Sequence, residues 1–204
     1  MTARILLATR SQGKLRELIP LFADAGFEPM TLDAAGIPES AAEEHLEESP
    51  TFEENALAKA RYFFPRAGGL AVVADDSGLE VAHLDGAPGV RTKRWSGRAD
   101  LTGQRLDDEN NATLQRALIG APDRSARYVC VAAYVDATGT RTARGESAGR
   151  ILDAPRGSGG FGYDPYFYSE ELGVTFAEAA RKDKERVSHR GRAFARLLAE
   201  IARR

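Results

Sequence analysis

The carboxylates Asp75 and Asp76, followed at once by Ser77 and Gly78, are the residues of this chain best suited to chemistry. Adjacent aspartates can hold a hard divalent cation. Magnesium in particular takes oxygen ligands and uses one or two protein carboxylates, leaving the rest of its shell to phosphate oxygens and water. Upstream, Thr9, Ser11 and Lys14 stand where a short apolar run gives way to helical spacing. There, hydroxyls, the first backbone N–H groups of a helix and a lysine would all favour an anion. Lys59 could add a second point charge. Metal-assisted hydrolysis of a triphosphate demands three things: a cation to neutralise charge, donors to hold phosphates, and a group to orient or deprotonate water. These residues supply all three. Adjacent aspartates by themselves are more often a turn or a cap, so the surrounding segments must carry the reading.

Composition limits the alternatives. At 204 residues with 43% hydrophobic and 28% charged, the chain can bury a sizeable core as one domain, which excludes disorder. No apolar stretch approaches the length needed to span a bilayer, so no membrane partner is expected. Met1-Thr2-Ala3-Arg4 runs directly into an apolar segment without a signal peptide's long apolar region, which predicts a cytoplasmic protein. The single cysteine, Cys130, falls inside an alternating apolar run and reads as core packing. A net charge of −2 argues against a general binder of nucleic-acid backbone.

The elements that must position the acids follow from periodicity. Ile5-Leu6-Leu7-Ala8 reads as a buried strand, and Leu15, Leu18, Leu21 and Phe22 as the apolar face of a helix capped by Ser11 and stopped by Gly26. The acidic stretch from Pro38 to Pro50 reads as a solvated loop. Thr51-Phe52-Glu53-Glu54 has the capping-box pattern, predicting a helix that carries Lys59 and ends before Pro65. Leu70 to Ala74 reads as a second buried strand that ends in Asp75-Asp76-Ser77-Gly78, after which Leu79 to Leu84 returns as another strand. A helix is predicted over 103–118, and strands over 127–135 and 140–148, joined at Asp136-Ala137-Thr138-Gly139. Ser188 opens a final amphipathic helix through Phe194, Leu197, Leu198 and Ile201.

Two motifs tempt and are set aside. Gly157-Ser158-Gly159-Gly160-Phe161-Gly162 fits a dinucleotide fingerprint, but Tyr163-Asp164-Pro165 supplies no helix after it. Gly145-Glu146-Ser147-Ala148-Gly149, with Asp164 and His189 following, has the order of a serine hydrolase, yet the residues after Ser147 reach Pro155 too soon for the helix of a nucleophile elbow.

Six ordered segments resemble the inosine triphosphate pyrophosphatase family. They are Ala8-Thr9-Arg10-Ser11-Gln12-Gly13-Lys14, Thr51 through Ala60, Ala74-Asp75-Asp76-Ser77-Gly78-Leu79, Gly86-Ala87-Pro88-Gly89-Val90, Gly159 through Pro165, and Ser188-His189-Arg190-Gly191. The resemblance implies an α/β fold, a mixed central sheet with flanking helices, as one domain of two lobes around an active-site cleft. It implies hydrolysis of noncanonical purine nucleoside triphosphates (ITP, dITP, XTP) to the monophosphate and pyrophosphate, with Mg²⁺, in a homodimer. Carried over residue by residue, Asp76 is metal ligand and proton acceptor for the attacking water, and Glu47, four residues before Thr51, is the second metal ligand, with Glu48 and Glu44 as the alternatives. Thr9, Arg10, Ser11, Gln12, Gly13, Lys14 and Lys59 grip the triphosphate. Ser77 touches the substrate, and Phe161 stacks on the base in a pocket completed by Gly162, Tyr163 and Asp164. Lys184, His189 and Arg190 read the base edge. Hypoxanthine and xanthine carry a 6-oxo acceptor where adenine has an amino donor, and donors facing that position penalise adenine. Two departures from the family pattern are Ser11, where Asn is usual, and Arg91-Thr92-Lys93-Arg94, which makes Lys93 and Arg94 further candidate phosphate contacts. The related pyrophosphatases of pyrimidine nucleotides would share the chemistry but prefer other bases. A non-catalytic nucleotide-binding module would bind without releasing pyrophosphate.

Overall fold

The apolar run Ile5-Leu6-Leu7 forms the fully buried end of strand β1 (Ala3–Leu7) in the computed structural model, which describes residues 3–202. The Met1-Thr2 start used above for the cytoplasmic expectation lies outside the described residues. Helix α1 (Gln12–Asp24) follows with Ser11 as its N-cap, and the hydroxyl accepts from the Lys14 N–H at 3.4 Å. Gly26, at φ +83°, turns the chain out of that helix, a conformation glycine adopts without strain. Strand β2 (Phe27–Thr31) comes next; its Pro29 is tolerated because β2 is an edge strand.

Thr51 caps helix α2 (Phe52–Phe63), accepting from the Glu54 N–H at 3.2 Å and donating to the Glu54 carboxylate at 2.8 Å. Strand β3 is Ala71–Val81, helix α3 Gly103–Ala117, and strands β4 and β5 are Ser125–Asp136 and Gly139–Ile151. The turn between β4 and β5 is held by Asp136, whose carboxylate accepts from the Thr138 and Gly139 N–H groups at 2.7 and 3.1 Å. Short strands β6 (Phe167–Ser169) and β7 (Val174–Thr175) precede helices α4 (Arg181–Val187) and α5 (His189–Ile201).

The seven strands run in the order β2-β1-β3-β4-β5-β6-β7. β1 pairs parallel with both β2 and β3, whereas β5–β6 and β6–β7 are antiparallel, so the expected mixed α/β sheet is present. The chain divides into two compact units. One holds the chain through Asp76, Cys130–Gly145 and the chain from Ala193 onward, and the other holds Ser77–Val129 and Glu146–Arg192. In the first, Ile5, Leu7, Val73, Cys130, Ala132 and Tyr134 pack against Leu15, Leu18 and Phe22 of α1 and Phe194 and Leu197 of α5. Phe22 and Phe194 meet edge to face at 5.5 Å. In the second, Leu79, Val81, Tyr128, Ile151 and Phe167 pack against Leu114 of α3 and Leu118 at its C-cap, with Phe176 and Val187.

Several local expectations are corrected. Asp75-Asp76-Ser77-Gly78 is not a turn at a strand end: β3 runs unbroken through all four residues, and Asp75 and Asp76 are buried at 1% and 5% exposure. The solvated loop contains a 3-10 helix, Ala41–Glu47, opened by a capping box in which the Ser40 N–H donates to Glu43 at 3.2 Å. Leu79 to Leu84 is the end of β3 followed by a 3-10 turn rather than a separate strand. Both rejected motifs lack their required context. Ser147 is buried within β5, and the glycine-rich stretch leads to a turn and β6. Among the described residues no helix is long and apolar enough to cross a membrane.

Candidate functional site

Residues 75 and 76 are consecutive on a strand, so their side chains leave opposite faces, and each face has its own partners. Asp75 anchors: its carboxylate pairs with Lys14 at 3.0 Å, and Cys130 lies 3.7 Å from the same oxygen. The Asp75 carbonyl accepts from both Lys14 and Lys59, at 3.2 and 2.5 Å. Asp76 instead accepts from Asn55 at 2.9 Å, with Lys59 at 3.7 Å from its other oxygen. Burial holds the Asp76 carboxyl above the usual range, against the opposing pull of Lys59 and Lys14. Lys59 also bonds Glu47. Burial alone would lower the Lys59 pKa, but Glu47, Asp76 and Asp75 outweigh it and hold the ammonium charged.

Helix α2 explains this convergence. Its apolar stripe, Phe52, Ala56, Ala60 and Phe63, is interrupted on the buried side by Asn55 and Lys59, which are four residues apart and therefore neighbours on one face. Asn55 is fully buried, donating to the Ser49 carbonyl at 3.2 Å and accepting from the Ser49 N–H at 2.9 Å while it holds Asp76. Asn55 was not among the predicted site residues. The readable signal was a buried-face polar residue four positions before a lysine.

Of the loop residues, Lys14 joins the acidic group directly, and Thr9 accepts from the Ser11 N–H at 3.2 Å, shaping the turn into α1. Gln12 opens α1 and Gly13 is buried in it. Arg10 belongs to a different set of contacts. Its guanidinium grips both oxygens of Glu43 at 3.1 and 2.9 Å, the Ile37 carbonyl at 3.0 Å and Asp33 at 3.2 Å.

The second unit gathers aromatic and basic residues. Lys184 pairs with Asp164 at 2.7 Å, and Asp164 also accepts from the Phe161 N–H at 2.8 Å. The Lys184 ammonium and the Arg190 guanidinium each lie 5.6 Å from the Phe161 ring centre. Arg190 donates to Ser77 at 2.8 Å. His189 stacks on Tyr128 with ring centres 4.5 Å apart and planes at 8°, and Phe176 lies nearly parallel at 6.5 Å. Gly160, at φ +73°, has no room for a side chain, since a Cβ would come 2.0 Å from the Asp164 carboxylate. Tyr163 is a packing residue here: it is buried and donates to the Thr92 carbonyl at 2.8 Å, and burial pushes its pKa up. Lys93 and Arg94 end the 3-10 helix Gly89–Arg94.

Two further residues were missed in this unit. Asp107 and Asn111, four apart on α3, clamp one residue: Asp107 accepts from the Gly162 N–H and Asn111 donates to the Gly162 carbonyl, both at 2.9 Å. Asparagine is a poor helix former, and Asn110-Asn111 inside α3 was the available hint of a tertiary role.

Among the described residues no three His, Cys, Asp or Glu side chains gather as a metal site. Glu47, Asp76 and the Asp75 carbonyl do surround a cation, the Lys59 ammonium. Two carboxylates, all of whose donors are oxygens, suit a hard ion such as magnesium.

The chain is similar to known proteins along nearly its whole length. A dITP/XTP pyrophosphatase of Ralstonia nicotianae is 46% identical over 201 residues, 97% of this chain and 96% of its own. A solved HAM1 protein from Coxiella burnetii matches with a TM-score of 0.81 and 34% identity, covering 99% of this chain and all of its own (100%). A solved Mycobacterium abscessus nucleoside-triphosphatase, also titled a dITP/XTP pyrophosphatase, gives 0.68 at 40% identity, covering 96% and 98%. The Ham1 family model matches residues 5–200, and the chain belongs to the Ham1 family.

Proposed function

We propose that this protein hydrolyses noncanonical purine nucleoside triphosphates such as dITP, ITP and XTP to the nucleoside monophosphate and pyrophosphate. The observation that carries the reading is the buried Asp76, held by Asn55 and faced by Lys59, in a chain whose close relatives carry that activity in their names. Asp76 and Glu47 hold the divalent ion, proposed to be Mg²⁺ because every donor is an oxygen. When bound, such an ion neutralises phosphate charge and favours the leaving pyrophosphate.

In the proposed step a water oxygen attacks the α-phosphorus, its proton passes to the Asp76 carboxylate, and the bond from the α-phosphorus to the bridging oxygen breaks. Lys14 and Lys59 stabilise charge on the departing oxygens. Lys184, Arg190 and His189 supply donors for a 6-oxo purine, Phe161 stacks on its ring, and Ser77 contacts the substrate. Tyr163, Asp164 and Gly162 shape that pocket, and Thr9, Ser11, Gln12 and Gly13 line the phosphates. A homodimer in the cytoplasm, acting on no nucleic acid, completes the reading by its likeness to the family.

The test is pyrophosphate release from ITP, dITP, XTP, ATP, GTP and dTTP, with Mg²⁺ and with EDTA. Rapid release from the first three only, abolished by EDTA, is expected; equal rates with ATP, or release in EDTA, would count against it. Lys14→Ala should lower kcat/KM for ITP by about a hundredfold, because one cation facing the phosphates is removed. Unchanged steady-state kinetics would exclude that role.

A further inference from the structure

We propose that Arg10 is a positioning residue for Glu47, acting through Glu43, rather than a contact to the triphosphate; the inference rests on the reading of Glu47 as a metal ligand. Arg10 sits between Thr9 and Ser11 in the loop, but its fork is spent on protein: Nε and Nη2 hold the two oxygens of Glu43, and Nη1 holds the Ile37 carbonyl and Asp33. Four contacts from one guanidinium leave little for a phosphate.

What Arg10 grips is the base of a short and weak element. Glu43 is the capping-box acid of the 3-10 helix Ala41–Glu47, with its carboxylate accepting from the Ser40 N–H. Glu47 is the last residue of the same helix. A 3-10 helix of seven residues is unusually long for its type, and none of its residues is buried. A bidentate, partly buried arginine–carboxylate pair supplies the missing rigidity at one end, and Lys59 meets Glu47 at the other. The loop entering α1 and the helix bearing Glu47 are thereby tied into one piece. Lysine cannot reproduce a fork that bonds both oxygens of one carboxylate and a carbonyl together.

The experiment uses the full-length protein and the variants Arg10→Lys, Arg10→Gln, Glu43→Gln and the double variant Arg10→Gln/Glu43→Gln. Hydrogen exchange of residues 41–49 is measured without metal or nucleotide. Mn²⁺ binding is measured by electron paramagnetic resonance without nucleotide, and kcat and KM are measured for ITP. Each single variant should speed exchange in 41–49 and leave α1 unchanged. Mn²⁺ binding should weaken by about tenfold, the size expected when a group that orients a metal ligand is lost. KM for ITP at saturating Mg²⁺ should stay within about twofold, and the double variant should be no worse than either single one. A raised KM with unchanged exchange would make Arg10 a phosphate contact and overturn the proposal, as would faster exchange with unaltered Mn²⁺ binding. Glu47→Gln separates the two readings: if it binds Mn²⁺ as wild type does, the ligand assignment itself fails, whatever the exchange of 41–49 in the Arg10 variants.

Discussion

Asp76→Asn is expected to lose about a thousandfold or more in turnover of ITP while folding as the wild type does, since the amide can neither accept the water's proton nor supply a carboxylate to the metal. The shape is retained, and the Asn55 amide can still donate to the remaining carbonyl oxygen. Charge also favours an intact fold. The folded-state pKa of Asp76 lies above that of the unfolded chain, with burial as the leading cause. Between the two values the native state binds more protons, so stability falls as pH rises through that window. Asparagine does not titrate and removes that loss. Thermal melting and pyrophosphate release on the same preparation check both halves; a folded variant with near wild-type turnover would remove Asp76 from the chemistry.

Lys59→Met should move two properties in opposite directions. Turnover is expected to fall by about a hundredfold to a thousandfold, the loss typical when one preorganised electrostatic donor is deleted. Mn²⁺ binding without nucleotide should tighten by about tenfold or more, because the ammonium that now neutralises Glu47 and Asp76 competes with any arriving cation. In EDTA the variant should melt lower. Removing one partner from a buried pair costs about 3–5 kcal/mol, and the low end applies because Glu47 is partly exposed. Added Mg²⁺ should restore much of the loss through mass action on the folded state. Calorimetry with and without metal measures this, and weaker metal binding in the variant would show that Lys59 helps to build the site instead of occupying it.

Periodic, apolar segments are legible in the sequence. Leu15, Leu18 and Phe22 announced α1, Thr51 and Glu54 the start of α2, and Asp136 to Gly139 the turn between β4 and β5. Failures came where polar residues are buried for a purpose. Asp75-Asp76-Ser77-Gly78 has the composition of a turn, and only partners distant in sequence, Lys14, Asn55 and Lys59, make it tolerable inside a strand. The 3-10 helix bearing Glu47 was hidden for the opposite reason: its residues are polar and unburied, so no apolar period marks it, and its one local sign was the Ser40–Glu43 box. Arg10, which the family resemblance places at the triphosphate, has its guanidinium engaged by Asp33, Ile37 and Glu43, which are near it only in the fold. Asp107 and Asn111 escaped notice because a helix surface with several polar residues does not show which of them a neighbouring loop will use.

The central claim, a metal-assisted attack of water on the α-phosphorus with Asp76 as proton acceptor, is tested most directly by following ITP with phosphorus NMR in water enriched in oxygen-18. Wild-type protein with Mg²⁺ should yield the monophosphate carrying the solvent oxygen together with unlabelled pyrophosphate, and Asp76→Asn should yield neither. Label in pyrophosphate, or inosine diphosphate with orthophosphate as the products, would contradict it.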